Sequence, residues 1–121
     1  MGTTRYTEGM IDEASFRRES DRALEDLKQA LIAAEDVSGS FEFEDNNGVM
    51  NILFEDGSSK FVVTPNTPVR QVWISALSTS FKLDWDEVVG AFVLPKTGEA
   101  LMPLVERLLR EHLGDASIAL R

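Results

Sequence analysis

Asp12, Glu19 and Asp26 recur at intervals of seven residues, which keeps successive carboxylates on nearly one side of a helix. Neighbours stand two turns apart, about 10 Å, so the three make a stripe and not a chelate. Carboxylate oxygens are the natural ligands of hard cations, and such a stripe would hold one exposed, partly hydrated and exchangeable. The same residues also read as a solvated helix face on which Arg17, Arg18, Arg22 and Lys28 pair locally. A second candidate for chemistry is Trp73, whose neighbours alternate so that the indole points away from the apolar side of a strand. A tryptophan there can anchor a partner protein, or it can simply cover the sheet beside a residue such as Leu83.

Few other residues could do chemistry. The 121-residue chain has no cysteine, which excludes a disulfide framework, a thiolate nucleophile, a cysteine-ligated zinc and a self-held iron–sulfur cluster. Its single histidine, His112, has no second histidine for a zinc site and reads as structural. No Ser-His-Asp set stands out, no glycine-rich phosphate loop follows a strand, and no basic patch suggests nucleic acid. Apolar runs are too short to span a bilayer, and Met1 to Ser15 lack the layout of a secretory or organelle leader. These features predict a soluble cytoplasmic protein.

The net charge of −9 is concentrated. Residues 1–56 carry 14 acids against 5 bases, whereas residues 57–121 carry 7 of each. The acidic end repels phosphates and anionic membranes and attracts cations or a basic protein surface. It also keeps a small domain soluble.

The elements that position these residues follow from periodicity. Phe16, Ala23, Leu24, Leu27, Leu31 and Ala34 form one apolar stripe, predicting a helix over Ile11 to Glu35 capped by Asp12. Val37-Ser38-Gly39-Ser40 ends it. Phe41 and Phe43 then alternate with Glu42 and Glu44 ahead of the hairpin turn Asp45-Asn46-Asn47-Gly48. Val49 to Phe54 and Lys60 to Thr64 read as strands joined by Glu55-Asp56-Gly57-Ser58, and Val69 to Ser75 as a fourth. Ser75 to Ser80 reads as a loop, Phe81 to Trp85 and Ala91 to Leu94 as short strands. A second amphipathic helix is predicted from about Gly98 to Leu113, with Pro103 tolerated only in its first turn. Ser117 to Arg121 is an extended tail. Two helices with one stripe each cover one sheet face and leave the other bare. The expected fold is therefore α+β, a two-layer sandwich with both helices on one face of an antiparallel sheet of five to six strands. It forms a single domain over residues 11–121 behind a flexible extension of residues 1–10.

With that order in hand, Thr67-Pro68-Val69-Arg70-Gln71-Val72-Trp73-Ile74-Ser75 resembles the T-P-x-x-Q-[hydrophobic]-W-[hydrophobic]-S segment of the frataxin family, including its bacterial iron-donor members. Ile11 to Phe16, Val49 to Gly57, Lys82-Leu83-Asp84-Trp85 and Thr97 to Leu101 resemble further family segments in the right order. The resemblance implies a protein that binds iron weakly on an acidic surface and docks on the cysteine desulfurase and the scaffold that build iron–sulfur clusters. It would supply iron or regulate the desulfurase. The positions matching the family's acidic ridge are Glu13, Asp21, Glu35 and Asp36, continued by Glu42, Glu44 and Asp45. Asn66, Gln71 and Trp73 are the implied partner-binding residues.

Several positions depart from the family pattern. The end of the first helix, acidic in many members, reads Gln29-Ala30-Leu31-Ile32-Ala33-Ala34, and Arg17 stands where bacterial members often carry histidine. Both changes lower the expected iron affinity. The leading expectation is a non-enzymatic accessory of cluster assembly, monomeric, with metal-dependent oligomerisation left open. The competing expectations are a ferroxidase that stores iron in an oligomer, which lacks any close carboxylate–histidine geometry here, and a protein-binding module without metal.

Overall fold

The computed structural model describes residues 11–55, 57 and 59–120. The expected extension over residues 1–10 lies outside the described residues. Helix α1 runs from Glu13 to Ser38, three residues beyond the predicted end. Asp12 caps its start by accepting the Ser15 N–H at 2.8 Å, and Gly39 closes it in the left-handed conformation at φ 69°. Six antiparallel strands follow in simple meander order: β1 (Phe41–Asn46), β2 (Val49–Phe54), β3 (Lys60–Asn66), β4 (Gln71–Ala76), β5 (Thr79–Asp86) and β6 (Ala91–Val93). Helix α2 (Leu101–Leu113) closes the domain.

Alternation sorts the sheet into two faces. Phe41, Met50, Ile52, Phe54, Phe61, Val63, Val72, Ile74, Leu83 and Phe92 point to the helices and are buried. They meet Phe16, Leu24, Leu27 and Leu31 of α1 and Leu101, Leu104, Val105, Leu108 and Leu109 of α2. Phe16 packs edge-on against Phe92 with centroids 5.6 Å apart, so the start of α1 is tied to the far edge of the sheet. His112 lies 4.1 Å from the Phe54 ring, centroid to centroid, and joins the aromatic group at the other end. Both helices thus cover one face of a six-stranded sheet, the expected two-layer arrangement. Among the described residues no helix is long and apolar enough to cross a membrane.

Three local expectations change. Val69 belongs to a one-turn 3-10 helix, Thr67–Val69, and β4 begins only at Gln71 because Arg70 takes a left-handed φ of 57°. The predicted loop over Ser75 to Ser80 is a tight turn: β4 continues to Ala76, Leu77 and Ser78 take φ values of 52° and 60°, and β5 starts at Thr79. Helix α2 starts at Leu101, which puts Pro103 in the first turn, where its missing N–H leaves no intrahelical bond unmade. The tail docks on α2. Arg110 Nε donates to the Ile118 carbonyl at 2.7 Å, the Leu120 N–H donates to Glu106 at 2.9 Å, and both Ile118 and Leu120 are buried.

Candidate docking site

The bare face is assembled by register. Thr64, Trp73 and Lys82 lie in one row across β3, β4 and β5, and Asn66, Gln71 and Asp84 lie in the next. The Trp73 indole N–H donates to Gln71 Oε1 at 2.8 Å, and Gln71 Nε2 donates to Asp84 Oδ1 at 2.9 Å. Lys82 Nζ sits 4.9 Å from the centre of the indole ring. Hydrogen bonds from below and a cation over the ring fix a half-buried aromatic in one orientation. Leu83, offered by the sequence as a packing neighbour, lies on the buried face opposite Val72 and does not share this surface.

The six carboxylates of the predicted ridge do not form one group. Glu35, Asp36 and Glu42 come together with Glu55 around a groove of about 540 Å3 between the end of α1 and the β1–β2 edge. Glu35 Oε1 also accepts the Phe43 N–H at 3.2 Å, satisfying a donor on the edge strand. Glu44 points to the bare face opposite Asn51, two residues further along β1 than Glu42. Asp21 lies beside Glu25 on a separate groove, where Lys28 bridges to Asp45 at 3.6 Å. Glu13 stands at the other end of α1, about 33 Å from Glu35 at 1.5 Å per residue. There it pairs with Arg17 at 2.8 Å and with Arg70 at 3.9 Å.

The electrostatics differ accordingly. Glu13 and Glu19 sit among Arg17, Arg18, Arg22 and Arg70. Glu35, Asp36, Glu42, Glu44 and Glu55 have no cationic partner within 4 Å among the described residues. Elsewhere, the Ser15 N–H holds the Asp12 carboxyl below its usual range, the Arg107 guanidinium lowers Glu99, and the Ser117 hydroxyl and N–H lower Asp115. Among the described residues no group of three or more His, Asp or Glu is placed to hold a metal ion. The donor set therefore fits no closed iron site. What it offers is an anionic lip with free valences for water, cations or a basic surface.

Sequence reasoning missed two members of this surface. Glu55 reads as a turn residue, and only the pairing of Phe41 with Phe54 shows that the β2 end returns beside Glu42. Lys82 could have been found from the hairpin register, since it falls directly opposite Trp73.

An α-β6-α sandwich with one sheet face left bare, an indole held on that face and a group of carboxylates at one border is an architecture of a recognisable class. Residues 9–115 match the model of the frataxin-like domain, and the chain belongs to that family. It is similar to the iron-sulfur cluster assembly protein CyaY of Azotobacter vinelandii, with 31% identity over 93 residues covering 76% of this chain and 84% of that one. The protein of the same name from Pseudomonas putida strain W619 is 35% identical over 89 residues, 73% of this chain and 80% of its own. Among solved structures, frataxin from Psychromonas ingrahamii superposes with a TM-score of 0.69 at 16% identity, over 84% of this chain and 91% of that one, a likeness of fold. The frataxin resemblance drawn from the tryptophan strand is thus borne out.

Proposed function

We propose that this protein serves iron–sulfur cluster assembly as a non-enzymatic accessory, docking on a cysteine desulfurase through the acidic end of α1 and β1 and on the scaffold protein through the sheet face around Trp73. The observation that carries this reading is the Trp73–Gln71–Asp84 chain with Lys82 over the ring, which presents one aromatic in a fixed pose on the bare face. A rigid aromatic loses little conformational freedom on binding, which is why tryptophan dominates interface energetics. Gln71 acts here as a positioning residue, since its amide groups are occupied within the protein. Curated relatives above 30% identity carry the name iron-sulfur cluster assembly protein, and that is the process into which the docking surface fits.

Iron enters this reading as cargo. The groove of Glu35, Asp36, Glu42 and Glu55 supplies carboxylates without a cage, so iron held there exchanges readily and stays partly hydrated. The same lip attracts a basic protein surface, and that attraction weakens with salt because the Debye length is only about 8–10 Å near physiological ionic strength. The test is a titration of the full chain against purified desulfurase and scaffold. Trp73→Ala should weaken scaffold binding by about 30-fold, a loss of about 2 kcal/mol typical of an interface anchor. The combined change Glu35→Gln, Asp36→Asn, Glu42→Gln, Glu55→Gln should weaken desulfurase binding by about tenfold or more, with a shallower salt dependence. Unchanged affinities in both variants would remove the proposal.

A further inference from the structure

The two tryptophans stand in opposite relation to positive charge. Trp73 on the bare face already carries a cation of its own chain, Lys82, over its ring. Trp85, which alternates with Asp84 along β5, lies on the helix side of the sheet and has no cation over its ring among the described residues. Its ring is nonetheless held in place. The indole N–H donates to Glu87 Oε1 at 2.8 Å, and the ring packs edge-on against Phe92 with centroids 5.1 Å apart.

Trp85 and Phe92 line a groove of about 230 Å3, to which the start of α2 adds Met102. Another wall is α1, which contributes Glu19, Arg22 and Asp26. The two acids are seven residues apart, about 10 Å along the helix, so no single cation answers both. Glu19 already faces Arg18 at 3.5 Å and Arg22 at 3.6 Å. Asp26 is exposed and has no hydrogen bond or ion pair among the described residues. The lining thus holds two acids against one base, which leaves one negative charge beside aromatic walls. That combination suits a cation on an apolar stem. A carboxylate draws the charge, and an aromatic face takes a planar guanidinium better than a compact ammonium. The groove is smaller than the ~300 Å3 at which small-molecule sites usually begin, and it has room for one long side chain. We propose that this groove docks a partner protein by taking one arginine of an exposed basic segment, with the guanidinium at Asp26 and the stem along Trp85 and Met102. The site is separate from the acidic lip, since Asp26 precedes Glu35 by about 13 Å along α1, and Trp85 lies on the opposite side of the sheet from Trp73. A second copy, itself carrying −9, is the wrong occupant for an acidic groove.

The test is an NMR titration of the isotope-labelled full chain with the acetylated and amidated peptide Ala-Ala-Arg-Ala-Ala. The two indole N–H signals are the readout, told apart with Trp85→Phe. The Trp85 signal should shift saturably with a Kd of about 1 mM, as for a single anchored side chain, while the Trp73 signal stays in place. Citrulline in place of the arginine keeps the shape and removes the charge, and should bind about tenfold more weakly or worse. Lysine in its place should bind about threefold more weakly, which separates a guanidinium site from general attraction to an acidic protein. Asp26→Asn, on an exposed helix position that holds nothing else, should weaken the arginine peptide by about threefold or more and leave the rest of the spectrum unchanged. Equal binding of the arginine and citrulline peptides, or of the arginine and lysine peptides, overturns the inference. So does an Asp26→Asn variant with unchanged affinity, or a shift at Trp73 in place of Trp85. Binding of free arginine amide but not of the peptide would make the groove a small-molecule site, and a Trp85 shift with protein concentration alone would make it a self-contact; either result also overturns it. These readouts involve no desulfurase, scaffold or iron, so their failure leaves the cluster-assembly reading to its own test.

Discussion

The two ends of α1 carry the same kind of side chain and use it differently. At the start, Asp12 caps the helix, Glu13 pairs with Arg17 and Arg70, and Phe16 reaches across to Phe92 beneath them. At the finish, Glu35 and Asp36 join Glu42 and Glu55 with no cation within 4 Å among the described residues, and Val37 beside them is 89% exposed. The first end answers its acids with arginines. The second keeps its acids available. Acidity counted along a chain therefore says little about function until the cations that answer it are placed in space.

That contrast can be broken at either end. Phe16→Ala should lower the unfolding free energy by about 3–5 kcal/mol, read from a denaturant midpoint, because it empties a fully buried site between α1 and β6. A smaller effect follows from pH. The carboxyls of Asp12, Glu99 and Asp115 titrate below their ordinary values in the folded state, so their stabilisation is complete above the unfolded values near about pH 4 and is lost as pH falls through the folded ones. Asp12→Ala should lower the midpoint at neutral pH and flatten its decline in acid, since one of the three linked protons is removed. The smallest effect belongs to the free end: Val37→Asp should change stability by less than about 0.5 kcal/mol, because the side chain touches little. A large loss there would show that the end of α1 is structural after all.

Much of the fold was legible because it rests on periodicity. The stripe from Phe16 to Ala34, the alternation of Phe41 and Phe43 with Glu42 and Glu44, and the leucines of α2 each point to one face whatever the tertiary detail. The misses are places where backbone conformation is set by partners. Leu77 and Ser78 adopt positive φ without glycine or asparagine, so no turn signal marks them, and the pairing of Ala76 with Thr79 dictates the reversal. Arg70 is left-handed for a related reason: its guanidinium bonds the Thr67 carbonyl and reaches toward Glu13, a contact between distant parts of the chain. Trp73 and Gln71 were legible as outward residues, but the anchoring of Gln71 on Asp84, and the cation over the indole, exist only once β4 and β5 are in register. The ridge was least legible. Helical spacing places acids on a side of α1, while their fate depends on which arginines lie within reach.

The turn at Leu77 and Ser78 leaves the molecule with unused stability. Left-handed backbone costs a β-carbon-bearing residue about 1–2 kcal/mol more than it costs glycine. An asparagine–glycine pair suits that geometry in a two-residue hairpin. Evolution has left the reversal under tension, at the corner joining the tryptophan strand to the lysine strand. Relaxing it offers a route to a hardier fold that leaves the face around Trp73 untouched.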